Sequence, residues 1–202
     1  MNFRNKLAFI LATTITLSGC VIGNQYGHSG RDVDVTLGNI EVEDGENAGH
    51  LDTVNGNIDI GRQALVKSAE TVNGNIVIGD DSSVGDLETV NGSIELGKNV
   101  TVNGAIETVN GDIVVEENGR VTSNLTTTNG DITLASKTHI EGDIIFEHSK
   151  WASMFEKQNH RTLEIAADVT IDGYVYLYSP VNLSLPSSFD KEKIKRRYEG
   201  KK

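Results

Sequence analysis

Histidines and acidic side chains are the residues of this sequence that could support chemistry near neutral pH. His148 and His160 flank a polar stretch and His139 precedes it, but their spacing matches no known set of zinc ligands. Acids expected on outward strand positions could bind cations loosely, although solvation is their usual role. They are Asp59, Glu95, Asp112 and Asp131. Without a nucleophile elbow, P-loop, HExxH or CxxC motif, the sequence predicts no catalytic residue, no metal ion and no cofactor.

The elements that carry these residues are organised by one repeated stretch, Thr-Val-Asn-Gly-Asn-Ile. It occurs at 53–58 and 71–76, and it returns at 89–94 with Ser93, at 108–113 with Asp112, and in a weaker copy at 127–132. Its asparagines are Asn55, Asn73, Asn91, Asn110 and Asn129, so the steps are 18, 18, 19 and 19 residues. A fixed period of this length is the signature of a solenoid.

Alignment of the repeats on the first Ile produces columns of apolar residues. The first column holds Ile40, Ile58, Ile76, Ile94, Ile113 and Ile132. The second holds Val42, Ile60, Ile78, Leu96, Val115 and Leu134, and a last one holds Val54, Val72, Val90, Val109 and Thr128. Because strand side chains alternate with period two, we expect each column to form an internal stack. The sequence thus predicts an all-β, single-stranded parallel β-helix of six to seven rungs, with a right-handed coil favoured.

The repeated Asn-Gly pairs allow two interpretations. Between alternating residues, Asn-Gly is typical of a two-residue hairpin. In a coil, the pair could instead turn a corner with positive φ, and the stacked Asn amides could form a hydrogen-bonded ladder. The constant long period favours the corner. Five equivalent Asn side chains could also form a binding site, but the structural ladder is the favoured interpretation.

The N-terminal residues resemble a bacterial lipoprotein signal peptide. Arg4 and Lys6 precede a short apolar run, and Leu17-Ser18-Gly19-Cys20 resembles the lipobox. The resemblance implies a signal peptide at 1–19 and a lipid on Cys20 that anchors the chain to a membrane surface. From Val21, the resemblance also implies an outer-membrane location in the cell envelope. The alternative is an ordinary secretory signal with an incidental Cys. The following residues are rich in Gly and polar side chains without periodicity, so we interpret 20–32 as a lipid-anchored flexible tether.

The chain is acidic except at its C-terminus. Its formal net charge is −11, which argues against nucleic acid as a partner. Residues 190–202 carry seven Lys and Arg against three acids. We interpret 182–202 as a cap followed by a basic tail. That tail could contact anionic lipid or a cell-wall polymer, or it could simply be a solvated end.

One segment interrupts the repeat inside a coil that spans 33–181. Residues 147–161 are polar, and the column pattern resumes at Leu163 and Ile165. Trp151 and Phe155 lie within this excursion at helical spacing. They could form a partner patch, although burial of the excursion against the coil is the favoured role.

The repeats resemble two groups of bacterial proteins. Thr-Val-Asn-Gly-x-Ile is similar to the rungs of an adhesin family built from β-strand repeats. Ile140-Glu141-Gly142-Asp143-Ile144 resembles rungs of bactofilins, which are polymer-forming β-helix proteins. The resemblance implies a rigid rod that could self-associate through its ends, and it carries over no functional residue.

These observations favour a non-catalytic cell-envelope lipoprotein with a rigid β-helical module that is structural, adhesion-like or self-assembling. The alternative is a β-helix that binds or processes envelope or extracellular polysaccharide. Processing requires clustered carboxylates with basic or aromatic partners, whereas here the outward residues change from rung to rung. We therefore expect the protein not to be an enzyme.

Overall fold

Most of the described strands are short runs in which buried apolar residues alternate with outward residues. The computed structural model describes residues 23–148 and 161–198, which contain 22 strands and one 3-10 helix, Lys191–Lys193. Every ladder between the described strands is parallel, and each strand pairs with its equivalent one repeat later. The predicted all-β parallel β-helix is confirmed.

One sheet, called face 1, contains nine strands, one from each rung. Numbered in chain order, they are β1 (Gln25–Tyr26), β3 (Ile40–Val42), β5 (Ile58–Ile60), β7 (Ile76–Ile78), β9 (Ile94–Leu96), β12 (Ile113–Val115), β15 (Ile132–Leu134), β18 (Thr162–Ile165) and β21 (Asn182–Ser184). The predicted six to seven rungs are therefore too few, because additional rungs form at both ends.

The other sheet contains thirteen strands. They are β2 (Val33–Leu37), β4 (Asn47–Asn55), β6 (Leu65–Asn73), β8 (Ser83–Asn91), β10 (Thr101–Val102), β11 (Ile106–Asn110), β13 (Arg120–Val121), β14 (Leu125–Thr127), β16 (His139–Ile140), β17 (Ile144–Phe146), β19 (Thr170–Ile171), β20 (Val175–Leu177) and β22 (Ile194–Arg196). This sheet bends at a corner, which divides it into two faces. Face 2 contains β10, β13, β16 and β19, and face 3 contains β2, β11, β14, β17, β20 and β22. The strands β4, β6 and β8 cover both faces.

The core is the inside of the coil, where equivalent side chains lie directly over one another. Ile58 lies over Ile40, and Ile76 over Ile58. The whole first column is fully buried. At about 1.5–3 kcal/mol for each fully buried Ile, such columns supply much of the favourable free energy of folding.

The last predicted column is wrong, because Thr and not Val points inward on face 3. Val54, Val72, Val90 and Val109 are only half-buried, whereas the Thr before each of them is buried. The inward residues are Thr53, Thr71, Thr89, Thr108 and Thr127. Strand alternation explains the change: with Leu51 pointing inward, the next inward position is Thr53. Each buried hydroxyl donates to a glycine carbonyl of the preceding corner, as Thr71 Oγ1 does to Gly56 O at 3.0 Å.

The Asn-Gly corner, which joins face 3 to the next face 1, does not use positive φ as predicted. Its glycine is needed because the backbones stack closely: a Cβ on Gly74 would lie 1.9 Å from the carbonyl oxygen of Gly56. Positive φ occurs instead at the corner between faces 1 and 2, for example 61° at Asp81 and 58° at Asn99. Non-glycine residues in this region cost about 1 kcal/mol each.

Within the described residues, the coil extends beyond the predicted boundaries at both of its ends. Residues 23–32 form part of an additional first rung and not a tether, since Gln25 N–H donates to Asn39 O at 2.9 Å and Gly27 N–H to Glu41 O at 2.8 Å. At the other end, 182–196 forms a last rung and not a tail, because β21 pairs with β18 and β22 with β20. The coil resumes after the excursion, since Leu163 pairs with Ile132.

Candidate functional site

The five predicted asparagines form a continuous ladder on the outside of the Asn-Gly corner. Asn73 Nδ2 donates to Asn55 Oδ1 at 2.9 Å, and Asn91 Nδ2 donates to Asn73 Oδ1 at 2.9 Å. Asn110 and Asn129 extend the ladder at 2.9 and 2.8 Å. An interior member thus uses one of its two N–H donors and one lone pair of its oxygen on its neighbours.

A second ladder lies at the residue that follows each Asn-Gly pair. There a side-chain oxygen accepts the backbone N–H of the equivalent residue one rung later. Asp112 Oδ1 accepts from Asp131 N–H at 2.8 Å, and Asp131 Oδ1 accepts from Thr162 N–H at 2.7 Å. These two acids therefore satisfy backbone donors and are not only solvated. The sequence signal was the constant acceptor at this position: Asn57, Asn75, Ser93, Asp112 and Asp131.

Face 3 carries a column of five carboxylates that sequence reasoning missed. This acidic column consists of Asp34, Asp52, Glu70, Glu88 and Glu107, each paired in register with the next. Rungs are about 4.8 Å apart, so neighbouring charges repel at close range. Burial, followed by repulsion from Glu70 and Asp34, raises the pKa of Asp52 to about 7. The predicted outward acids Asp59 and Glu95 lie on the exposed side of face 1, where Val77 separates them.

The histidines are not gathered into one site in the described part of the chain. His139 Nε2 lies 2.8 Å from Asp172 Oδ2, and His148 is exposed. His160 lies outside the described residues. Among residues 23–148 and 161–198, no group of three or more His, Cys, Asp or Glu could hold a metal ion. The predicted absence of a metal site stays a prediction.

At the C-terminal end of face 3, aromatic and basic side chains replace the acids. This tyrosine–basic patch comprises Tyr174, Tyr176, Tyr178, Lys195 and Arg197. Tyr176 pairs in register with Lys195, and both continue the column that begins at Asp34. Lys195 Nζ lies 4.8 Å from the Tyr174 ring centroid, and the Arg197 guanidinium lies 5.8 Å from that of Tyr176. Face 3 therefore changes from acidic to basic along the axis of the coil.

One buried cation, Arg161, lies where the excursion joins the coil. Arg161 is 6% exposed, and its guanidinium donates to the carbonyls of Thr128 and Glu147 and to the hydroxyl of Ser179. Burial lowers the pKa of Arg161 and raises that of the Glu147 carboxyl. Arg161 thereby ties the two ends of the excursion to the coil, which is a structural role that the sequence did not indicate.

Several predicted features lie outside the described residues: the signal peptide at 1–19, the lipid-bearing Cys20, and Trp151 and Phe155 in the excursion. They stay predictions. In the described part, no helix has the length and apolar character needed to cross a membrane.

No protein-family model, curated protein or solved structure matches the chain.

Proposed function

We propose that this chain is a non-catalytic lipoprotein of the cell envelope, and that its β-helix is a rigid structural rod that assembles end to end. The observation that carries the proposal is the match between the two terminal rungs. They present edge strands in the same columns, with acidic residues at one end and basic residues at the other.

Within residues 23–148 and 161–198, no strand pairs with the outer edges of the terminal strands. Among the described strands, β1 and β2 pair only with β3 and β4, and β21 and β22 pair only with β18 and β20. An unpaired strand edge is a template for another chain. Because all rungs run in the same direction, a second copy placed on the last rung would continue both sheets without reversal.

The side chains at the two ends are complementary in that arrangement. Ile194 lies in the column of Val33, and both are partly buried against the core. Lys195 lies in the column of Asp34, so stacking in register would set an ammonium beside the first carboxylate of the acidic column. Such a head-to-tail contact does not close on itself, and it therefore produces filaments.

The envelope part of the proposal rests on the N-terminal sequence. A basic start, a short apolar run and Leu17-Ser18-Gly19-Cys20 support cleavage before Cys20 and its lipidation. A lipid on Cys20 would hold the first rung close to a membrane surface, since only a few residues separate Cys20 from β1. Val21 supports an outer-membrane location.

Sedimentation velocity of residues 21–202 across a concentration series at two salt levels tests the assembly. We expect species that grow with concentration, that shrink when Lys195→Glu or Asp34→Lys is introduced alone, and that return in the double variant. Lys98→Glu, an exposed change far from both ends, is the control. A strict monomer at every concentration, or an equal effect of Lys98→Glu, would contradict end-to-end assembly.

A second candidate function, contact with polysaccharide, is favoured by the tyrosine–basic patch, because exposed aromatic rings and cations lie together there. That the protein is not an enzyme stays a prediction, which turnover assays on envelope and extracellular glycans would test.

A further inference from the structure

We infer that the tyrosine–basic patch is a binding site for acidic polysaccharide, meaning a chain of sugar rings that carries carboxylate groups. The inference rests on the second candidate function and specifies its ligand, and it is independent of end-to-end assembly, because these side chains project outward from face 3 and not along the axis of the coil. Tyr174 and Tyr178 are 45% and 40% exposed, so their rings are accessible from the side.

The patch is a regular two-rung grid. Tyr174, Tyr176 and Tyr178 project from the β20 rung, with Lys195 and Arg197 from the β22 rung beside them. Outward positions along one strand are about 6.6 Å apart and the two rungs about 4.8 Å apart. A row of three tyrosines therefore extends roughly 13 Å across the face, which is enough to contact a short run of linked sugar rings.

The chemistry of the grid fits sugar rings with negative charges. A tyrosine offers an apolar ring face, which suits the C–H face of a pyranose, and a hydroxyl that can exchange hydrogen bonds with sugar hydroxyls. The Tyr174 and Tyr176 rings are tilted by 58° with centroids 6.1 Å apart. The cations of Lys195 and Arg197 contact these rings and thus sit beside any sugar bound to them, where they can pair with carboxylates.

The rest of face 3 argues against other anionic partners. A rod lying with this face on an anionic membrane would also press the acidic column, from Asp34 to Glu107, against the lipid headgroups. A nucleic acid extending along the face would meet the same repulsion at a much higher charge density. A short acidic glycan segment that crosses the face along β20 and β22 avoids the acidic column.

The test uses the full-length chain with Cys20→Ser, kept in a nonionic detergent, and polygalacturonate as the probe. Neutral dextran and vesicles containing phosphatidylglycerol are the comparison ligands, and binding is measured by calorimetry. We expect polygalacturonate to bind and dextran to bind much more weakly. Loss of one aromatic contact in Tyr176→Ala or Tyr178→Ala should weaken binding about tenfold, and Arg197→Gln should also weaken it.

Matched controls come from equivalent side chains elsewhere. Tyr26, 57% exposed at the opposite end, is the control tyrosine, and Arg62, exposed at another corner, is the control cation. Tyr26→Ala and Arg62→Gln should leave binding unchanged. Circular dichroism and thermal unfolding identify variants that are misfolded, and sedimentation of Tyr176→Ala shows whether assembly persists. Loss of glycan binding with assembly intact separates this inference from the proposed function.

Three results would overturn the inference. The first is no binding of polygalacturonate by the folded wild-type chain. The second is binding that responds to Arg197→Gln but not to the tyrosine variants, since charge alone would then explain it. The third is binding of the vesicles, lost in the same variants, without binding of polygalacturonate, which would make the patch a membrane contact.

Discussion

Substitution of Asp52 by Asn should make the protein more stable at pH 8 and leave its stability almost unchanged at pH 4. Asp52 lies in the acidic column between Asp34 and Glu70. Asn has nearly the same shape and carries no charge at either pH. The comparison therefore isolates the free energy of placing one negative charge at this position.

The sign and size of the expected change in the free energy of unfolding follow from the raised pKa of Asp52. The carboxyl of Asp52 ionises near pH 7 in the folded protein and at its ordinary value of 3.8 in the unfolded chain. Stability is complete below pH 3.8 and falls as the pH rises toward 7, because only the unfolded state releases its proton freely. The full shift would correspond to about 4 kcal/mol. Partial exposure and solvent screening reduce the expected gain of Asp52→Asn at pH 8 to about 1–2 kcal/mol.

Urea unfolding at pH 4, 6 and 8, each at low and high salt, measures the effect. The gain should appear between pH 4 and 8 and should shrink at high salt, since part of it is repulsion between carboxylates. Glu41→Gln, an exposed acid on face 1, is the control and should change stability by less than about 0.5 kcal/mol. An equal gain at pH 4 and pH 8, or no gain at pH 8, would refute the reasoning.

Three further substitutions test the interior of the coil by urea unfolding. Gly74→Ala should destabilise by about 3 kcal/mol or more, because its Cβ would collide with the Gly56 carbonyl oxygen at 1.9 Å. Ile94→Asp should cost at least about 3 kcal/mol, because it places an unpaired carboxylate in a fully buried column. Thr108→Val should cost about 1–2 kcal/mol, because the Gly92 carbonyl loses the hydroxyl that donates to it at 3.1 Å.

Each of these has a control in the same chain. Gly45→Ala meets no atom within 4 Å but must keep a φ of +75°, so it should cost only about 1 kcal/mol. Leu65→Asp lies on the exposed side of face 2, where its neighbours in register are Asn47 and Ser83, and Val109→Thr lies on the outward side of face 3, so both should be nearly neutral. A full loss of stability in Leu65→Asp, or a stable Ile94→Asp, would contradict the assignment of inside and outside.

The fold could be predicted because two periods agree in this sequence. The 18-residue or 19-residue step identifies equivalent residues, and the alternation Ile-x-Ile identifies which of them point inward. The choice between Thr53 and Val54 could not be made in the same way, because both are β-branched and hydrophobicity alone favours Val. The alternation of inward and outward residues along the strand decides that Thr53 is the buried one. Its hydroxyl is accommodated because it donates a hydrogen bond to Gly38 O.

The surface features were harder to predict for different reasons. The acidic column mixes Asp with Glu and sits between the apolar columns, so nothing in composition distinguishes it from solvated acids. Residues 23–32 are rich in Gly and polar residues, and the basic segment before residue 198 looks like a tail. Both nevertheless form rungs, because an existing strand edge supplies hydrogen-bond partners to any chain that can lie extended beside it.

The two proposals concern the same end of the rod, and they reinforce each other. A head-to-tail stack would repeat the tyrosine–basic patch once per copy, about every 43 Å for nine rungs at the usual strand spacing. All copies would present it on the same lateral side if the sheets continue in register. A long acidic glycan could then contact several patches at once. Once it is bound to one patch, its binding to the next would be intramolecular, which raises the overall affinity. The affinity for polygalacturonate should therefore rise as the chain assembles, whereas Arg197→Gln, which leaves the Lys195–Asp34 contact between copies in place, should retain assembly and bind more weakly.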